Sequence, residues 1–366
     1  MAENNTKKAW VAMSGGVDSA VAAYLTKAEE FDAEGVTMRL WSEGETVGDD
    51  LSPEPDQNCL DAAKVSEILG IPHRSVALGH TFEEKVLDRF IDDYAKGKTP
   101  NPCVECNRCL KFGKLLDLID QWGGGLLVTG HYARIEQDEQ GRFLLKKAKD
   151  SSKDQSYFLW GIDKSRLPQI RFPLGEYTKT EIRAIATEHG LPSASRSDSQ
   201  DICFVPDGDY VRFIEAHSDL SFPKGSFISP DGTVLGEHQG LIRYTVGQRK
   251  GLGIALGAPA FVACKNPAEN TVTLCSDAEL YTRELTASQV NLLVEEESLF
   301  PARVEAKIRY RHTPAPATVT RLDDGRLHVL FDTPQRAIAP GQSVVLYDGD
   351  TVLGGGIIDE REKNKD

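Results

Sequence analysis

Short apolar runs alternate with amphipathic stretches through the first two hundred residues. "AWVAM" (9–13) is an apolar run that ends in the turn "SGGVDS", and "AVAAYLTKAEE" continues with helical spacing. "EGVTMRLW" (34–41) predicts a second strand, and "DAAKVSEILG" (61–70) a helix that stops at Gly70. "HRSVALG" predicts a third strand, "TFEEKVLDRFIDDYAKG" a long amphipathic helix, and "GGLLVTGHYARI" (124–135) a buried strand running into a loop. Strands separated by helices of this length predict βαβ units and a parallel sheet, whose ligands bind beyond the carboxyl ends of the strands. "SGGVDS" and "TGHYAR" both fall at such ends.

The pattern changes near residue 210. "KGSFISPDGTVLGEHQGLIRYTVGQRKGLGI" and "PAFVACKNPAENTVTLCS" hold short β-like runs broken by Asp-Gly and Asn-Pro turns. From about residue 285, "ARVEAKIRYRH", "ATVTRLDDGRLHVLF" and "QSVVLYDGDTVLGGGII" alternate apolar and polar positions around "DDG" and "DGD". That alternation predicts a small antiparallel barrel or sandwich. The expected fold class is α/β: a Rossmann-like parallel-sheet nucleotide-binding domain (1–212), a small β-rich central domain (213–284) and a C-terminal antiparallel β-barrel (285–366). The last residues, "DEREKNKD", read as a frayed tail.

Length and charge agree with this division. A chain of 366 residues is too long for one ordinary domain, and 40% hydrophobic with 27% charged residues describes a globular protein with ample core. No apolar run is long enough for a membrane helix, and "MAENNTKKAWVAMSGG" has no signal-peptide pattern, so a cytoplasmic location is expected. A net charge of −14 argues against a surface basic all over, though not against local basic patches. Acid gathers in "SEGETVGDDLSPEPD" (42–56), which reads as a mobile surface loop.

"MSGGVDSA" (13–20) follows a strand and opens a helix. Two adjacent glycines let backbone approach a phosphate, and the helix N-terminus offers unpaired N–H groups and a favourable dipole. Ser14 and Ser19 add hydroxyls, and Asp18 is placed to assist a Mg²⁺ ion carried by the phosphates. The loop lacks the Gly-Lys-Ser/Thr ending of a Walker A motif and the G-x-G-x-x-G of a dinucleotide fingerprint. The simpler reading is a glycine turn with a Ser/Asp helix cap, and its place in a βαβ unit favours the nucleotide.

"TPNPCVECNRCLKFG" (99–113) puts Cys103, Cys106 and Cys109 within seven positions of a chain with seven cysteines. A metal site, a disulfide framework and enzyme nucleophiles all fit that spacing, and a reducing compartment makes the disulfide framework the weakest. Cys264 and Cys275 sit in β-like runs and are expected to pack in the core.

"AMSGGVDSAVAAYL", "KTPNPCVECNR", "TGHYAR", "KDQSYFLW", "RSDSQDICFV", "GQRKGLGI", "KIRYRHTP" and "PGQSVVLYDGDTVLGGGII" occur in that order between residues 9 and about 358. The glycine loop resembles that of the pyrophosphatase-loop ATP enzymes, which make adenylates. The eight segments together resemble the bacterial tRNA-specific 2-thiouridylases. The resemblance implies that ATP adenylates the 2-oxygen of a wobble uridine in tRNA, and that a cysteine persulfide then delivers sulfur to the activated carbon. It implies an ATP site at Ala12, Met13, Ser14, Gly15, Gly16, Val17, Asp18 and Ser19, with Met38 near the adenine and Gly130 after a later strand. It maps the nucleophile onto Cys106 and the persulfide carrier onto Cys203. Both thiols need lowered pKa values, and Arg108 or Lys111 can supply the positive charge. A cysteine desulfurase or sulfur-relay protein is the implied sulfur donor; neither membrane nor DNA is an expected partner.

The same resemblance assigns Asn101, Pro102 and Cys103 to the target base, which must leave its stack to be reached. His131, Lys153, Asp154 and Gln155, with Arg309, Tyr310 and Gln342 in the C-terminal barrel, are implied RNA contacts. Many family members have Asp where this chain has Cys103, a candidate acid/base position. The substitution leaves alternatives open. Cys103, Cys106 and Cys203 can hold an iron–sulfur cluster with one iron free, and C-x2-C-x2-C also permits zinc with a fourth ligand from elsewhere. Competing functions are an adenylate-forming enzyme for a small metabolite and a non-enzymatic cysteine–metal RNA-binding module.

Overall fold

Apolar runs in the first half of the chain become a five-stranded parallel sheet. The computed structural model describes residues 7–42, 45–46, 56–192, 202–205, 207–295 and 299–361. Most of the acidic segment 42–56, the "RSDSQ" part of the Cys203 motif and the end of the C-terminal tail lie outside the described residues. Two compact units emerge. One takes in Met1–Val86, Cys103–Gln200 and Asp350–Leu353, and the other Leu87–Pro102, Asp201–Gly349 and Gly354–Asp366.

The first unit contains strands β1 (Lys8–Ala12), β2 (Asp32–Arg39), β3 (His73–Ala77), β4 (Leu126–Thr129), β5 (Ala133–Gln137), β6 (Phe143–Lys147) and β7 (Ile170–Arg171). The sheet order is β3-β2-β1-β4-β7, every pairing parallel. Strand order reverses on either side of β1, where Ala12 pairs with Val36 and with Thr129. This is the switch point at which a doubly wound sheet opens a crevice beyond its carboxyl ends.

Helices α1 (Val17–Ala28), α2 (Gln57–Leu69) and α3 (Lys179–Glu188) belong to this unit, and α2 and α3 carry side-chain caps at their starts. Asp56 caps α2 by accepting from Cys59 N at 2.8 Å, and Gly70 ends it in the left-handed region at φ 62°. Thr178 and Glu181 form a reciprocal capping box at the start of α3. The apolar faces of these helices join one core with the sheet, including the fully buried Val11, Val21, Val65, Val128, Leu174 and Ile182. Burying each such side chain contributes roughly 1.5–3 kcal/mol. The loop expected after β4 is instead a β5–β6 hairpin, turned by Asp138, which accepts from the amides of Gln140 and Arg142.

In the second unit β8 (Gly225–Ile228), β9 (Val234–His238), β10 (Phe261–Asn266) and β11 (Thr271–Cys275) form a sheet in the order β9-β8-β11-β10. Phe227, Tyr244, Val262, Val272 and Leu274 make its core. The ladder between β10 and β11 shifts register between Val262 and Cys264, so Val262 and Ala263 are both buried and Cys264 faces solvent. The expectation that Cys264 packs in the core is therefore wrong: the bulge rotates it outward. Cys275, whose alternation is intact, is buried.

Six antiparallel strands follow: β12 (Tyr281–Leu292), β13 (Ala302–Lys307), β14 (Ala315–Arg321), β15 (Leu327–Arg336), β16 (Ser343–Asp348) and β17 (Thr351–Arg361). Their order is β12-β15-β14-β13-β16-β17, and β17 returns to pair with β12, closing a barrel with no free edge. Alternate residues fill it, among them Leu285, Ala306, Val319, Val329, Phe331 and Leu346. No helix among the described residues is long and apolar enough to cross a membrane.

Candidate active site

The turn after β1 is held from inside. Ser19 is buried; its Oγ donates to Gly16 O at 3.0 Å and accepts from Ser14 N at 3.2 Å, folding the loop back over the first turn of α1. Ser14 is exposed, while Met13 lies in the core, its sulfur accepting from Ser66 Oγ at 3.4 Å. Among the described residues no side chain caps α1 at Gly16, so the simpler reading, a Ser/Asp helix cap, does not account for the loop, and the helix end can take another acceptor. The two glycines differ. Gly15 has φ +73°, and a Cβ there would lie 2.8 Å from Asp61 Cβ, so the fold itself demands glycine. Gly16 is extended, and among the described residues a Cβ there would meet only Ser14 Oγ, at 3.6 Å.

Gly130, just past β4, is pressed against this helix start, since a Cβ would come within 2.8 Å of Asp18 C and 2.9 Å of Ser19 N. Met38, near the end of β2, is half-buried beside Val76 of β3. Asp18 is engaged by two residues that sequence reasoning missed: Lys179 Nζ approaches its two oxygens at 2.8 and 2.9 Å, and Tyr132 OH donates to Oδ1 at 2.8 Å. The capping box at 178–181 marks Lys179 as a helix start, but no local signal joins it to a residue 161 positions away.

Cys106 begins a helix segment, Cys106–Lys114, wound wide with π-type bonding before the α-helix Leu115–Gln121. Gly113 permits this winding, because a Cβ there would sit 2.9 Å from Arg108 O, five residues back. Such segments concentrate at functional sites. Asn107 is buried with Nδ2 donating to Phe158 O at 3.1 Å, while Oδ1 has no partner among the described residues. Arg108, an expected source of positive charge for the thiols, is paired with the buried Glu105 at 2.5 Å. Cys109 Sγ lies 4.0 Å from the same carboxylate oxygen. Cys103 is exposed and Cys106 and Cys109 are half-buried.

Lys111 meets His131 instead. Its ammonium can only donate, so His131 Nε2 accepts at 3.4 Å and the ring proton sits on Nδ1, 2.7 Å from Thr129 Oγ1. Burial, then the neighbouring Lys111 charge, hold the His131 pKa well below its ordinary value, and the ring is neutral. In the turn after β6, Asp154 is buried and accepts from Ala148 N, Ser156 N and Ser156 Oγ at 2.8–3.2 Å. Gln155 Oε1 accepts from Tyr132 N at 2.9 Å, and the Lys153 amide donates to Asp150 O at 3.0 Å. Asp154 and Gln155 thus shape the turn that presents Lys153. Cys59 is buried at the start of α2; burial, with Asp56 beside it, pushes its thiol up to about 12 and removes it as a nucleophile.

In the second unit Cys203 is exposed. Arg309 donates to Arg336 O at 2.9 Å, and Lys307 Nζ lies over the Tyr310 ring at 5.4 Å. Gln342 donates to Thr99 O at 2.8 Å, two residues before Asn101 and three before Pro102. Among the described residues no group of three or more His, Cys, Asp and Glu side chains is placed to hold a metal ion.

Residues 7–207 match the family model described as the tRNA methyl transferase HUP domain, 212–276 the tRNA methyl transferase PRC-barrel domain, and 282–358 the aminomethyltransferase beta-barrel domain. The chain is 45% identical over 361 residues to tRNA-specific 2-thiouridylase MnmA of Clostridioides difficile (strain 630), covering 97% of this chain and 98% of that one. It is 47% identical over 354 residues to tRNA-specific 2-thiouridylase MnmA 1 of Caldanaerobacter subterraneus subsp. tengcongensis, covering 96% and 97%. A glycine loop at the switch point, a cysteine-bearing helix, a central β domain and a closed barrel stand in the same chain as this end-to-end likeness, and the chain belongs to the tRNA-specific 2-thiouridylase family.

Proposed function

We propose that this chain uses ATP to replace the 2-oxygen of the wobble uridine of tRNA by sulfur, through three domains spanning 1–212, 213–284 and 285–366. The observation that carries the reading is the uncapped start of α1 beside Gly16 at the switch point of the sheet, in a member of this family. An α-phosphate held at a helix N-terminus is stabilised as charge builds on it during attack. The uridine 2-oxygen attacks the α-phosphorus, pyrophosphate leaves, and a poor leaving group becomes AMP. Mg²⁺ travelling with ATP neutralises phosphate charge when bound; Asp18 is the loop carboxylate able to meet it, in exchange for Lys179.

Cys203 carries a persulfide loaded by a cysteine desulfurase or sulfur-relay protein. The Cys106 thiolate attacks the inner sulfur, and the terminal sulfur departs as hydrosulfide. It adds to C2 of the adenylated uridine, and AMP leaves. The Cys106–Cys203 disulfide that remains is returned to thiols by an external dithiol. Asn101 and Pro102 line the target base, and neutral His131 offers hydrogen bonding rather than charge to RNA. tRNA, ATP and reducing thiols coexist in the cytoplasm, the compartment we assign.

The reading is tested by incubating the protein with ATP, a persulfide donor and unmodified tRNA, then identifying the digested nucleosides by mass. Thio-uridine at the wobble position is the expected product. Its absence with folded, ATP-binding protein and a competent donor overturns the reading. Arg309→Ala is expected to weaken tRNA binding and lower the slope of log affinity against log salt by about 1. ATP affinity stays unchanged; equal losses for both ligands would mean that the barrel had been damaged through the lost bond to Arg336 O.

A further inference from the structure

The segment that leads into Cys103 and Cys106 is gripped from two sides within the second unit. From β10, Lys265 Nζ donates to Tyr244 O at 2.8 Å and Lys98 O at 3.4 Å, and lies 5.8 Å from the centre of the Tyr94 ring. From the loop before β16, Pro340 O accepts from Thr99 N at 2.8 Å while Gln342 Nε2 donates to Thr99 O at 2.8 Å. Both polar groups of the Thr99 backbone are thereby taken by 340–342. That loop is itself fixed to the barrel, Gly341 N donating to Ile358 O and Ile358 N to Gln342 O, each at 2.8 Å. Gly341, at φ +90°, allows the approach: a Cβ there would lie 2.9 Å from both Lys98 Cβ and Thr99 N.

We infer that Lys265 and Gln342 are positioning residues, which hold 98–102 in the conformation that presents Asn101 and Pro102 to the target uridine. The inference rests on the function proposed above. Lys265 is a poor choice for stability alone. A half-buried ammonium with no carboxylate partner among the described residues is costly, and a methionine of similar length would fill the space without that cost. No salt bridge from Lys265 to a carboxylate occurs among the described residues; its donors go to two backbone carbonyls on separate segments. Residues that break a local rule of stability while fixing backbone beside a site are those expected of a functional clamp. Gln342, implied as an RNA contact, also donates its amide to Thr99 O.

Lys265 also supplies a pH signature. Burial lowers its pKa to about 8. Around it stand Tyr94, with Tyr210 stacked on that ring, Lys98 and Tyr244, whose carbonyls it meets, and, on the helix of Tyr94, Asp88, Arg89, Asp92 and Asp93. Burial raises Tyr94 and Tyr210, whose hydroxyls stay protonated, and raises Asp93, which faces Lys98 at 3.7 Å. As pH rises through about 8, Lys265 loses its charge in the folded chain, and the charge-assisted bond to Lys98 O weakens. Stability moves the other way. The unfolded chain holds this proton up to the ordinary 10.5, so proton linkage at Lys265 makes folding more favourable between about 8 and 10.5. A clamp that positions the site loses turnover over this range; a merely structural lysine does not.

The test uses the full chain with Lys265→Met, Lys265→Arg and Gln342→Ala. Hydrogen exchange of the Thr99 amide, measured without substrates, is expected to quicken about fivefold or more in the Met and Ala variants. Their kcat for thio-uridine formation is expected to fall about tenfold to a hundredfold, with KM for tRNA little changed. Lys265→Arg, charged at every pH used, should keep most of kcat and abolish the decline above pH 8. Unchanged exchange at Thr99, a loss confined to KM for tRNA, or failure of the arginine to rescue overturns the inference. If Lys265→Met does not fold, Gln342→Ala and the arginine pH profile still decide. A wild-type chain that makes no thio-uridine overturns the proposed function instead, and the exchange measurement then judges the clamp alone.

Discussion

Gly16→Val is expected to leave the chain folded and to stop ATP-dependent adenylation. Position 16 is extended, with φ −85° and ψ 165°, a region that β-branched residues favour. Among the described residues a Cβ there meets only Ser14 Oγ, 3.6 Å away. The change at the helix cap costs about 1 kcal/mol of stability. The valine branches enter the space in front of the α1 amides, where phosphate must sit. Losing that approach removes backbone donors aimed at the reacting phosphate, a loss of about 10²–10³-fold in rate. tRNA-dependent pyrophosphate release, with a thermal melt alongside, measures both effects. Release at the normal rate in a folded Gly16→Val chain would refute the loop assignment. Gly15→Val is the contrast: with φ +73° and Asp61 Cβ 2.8 Å from the new atom, it should lower the melting temperature before any question of ATP arises.

The difference between these glycines marks where sequence reading stops. "SGGVDS" after an apolar run identified the loop, and the parallel sheet followed from strands spaced by helices. The spacing could not say which glycine serves the fold and which faces open space, because Asp61 and Asn58 come from α2. Long-range partners were invisible for the same reason. Asp18 and Lys179 are 161 residues apart, and Thr99 and Gln342 are 243 apart. Asp154 was legible as part of "KDQSYFLW" but not as a buried acceptor for Ala148 and Ser156. Cys264 was misread because one extra residue in β10 reverses the face of everything after it. The β5–β6 hairpin escaped because its alternation was attached to the preceding strand as loop.

Cys106→Ser and Cys203→Ser are each expected to abolish sulfur transfer while leaving ATP binding intact, since only the second half-reaction needs thiolates. Serine is too weakly acidic to replace a thiolate, so residual turnover should be undetectable rather than merely reduced. Cys109→Ser should be nearly silent, because a hydroxyl keeps a donor near Glu105 Oε2, 4.0 Å from the sulfur it replaces. Cys103→Asp separates the chemistries that the sequence left open. Cys103 is exposed at the start of the cysteine helix, so an aspartate there stays hydrated and costs little in stability. If Cys103 occupies an acid/base position beside the target base, aspartate restores the commoner family pattern and activity should persist. If it ligates iron with Cys106 and Cys203, anaerobically purified Cys103→Asp should lose iron, visible colour and most activity. The expected result is an active, iron-free enzyme, measured as thio-uridine formed per chain beside metal analysis of the same sample. Loss of activity together with iron would instead assign the three cysteines to a cluster, with the persulfide scheme set aside.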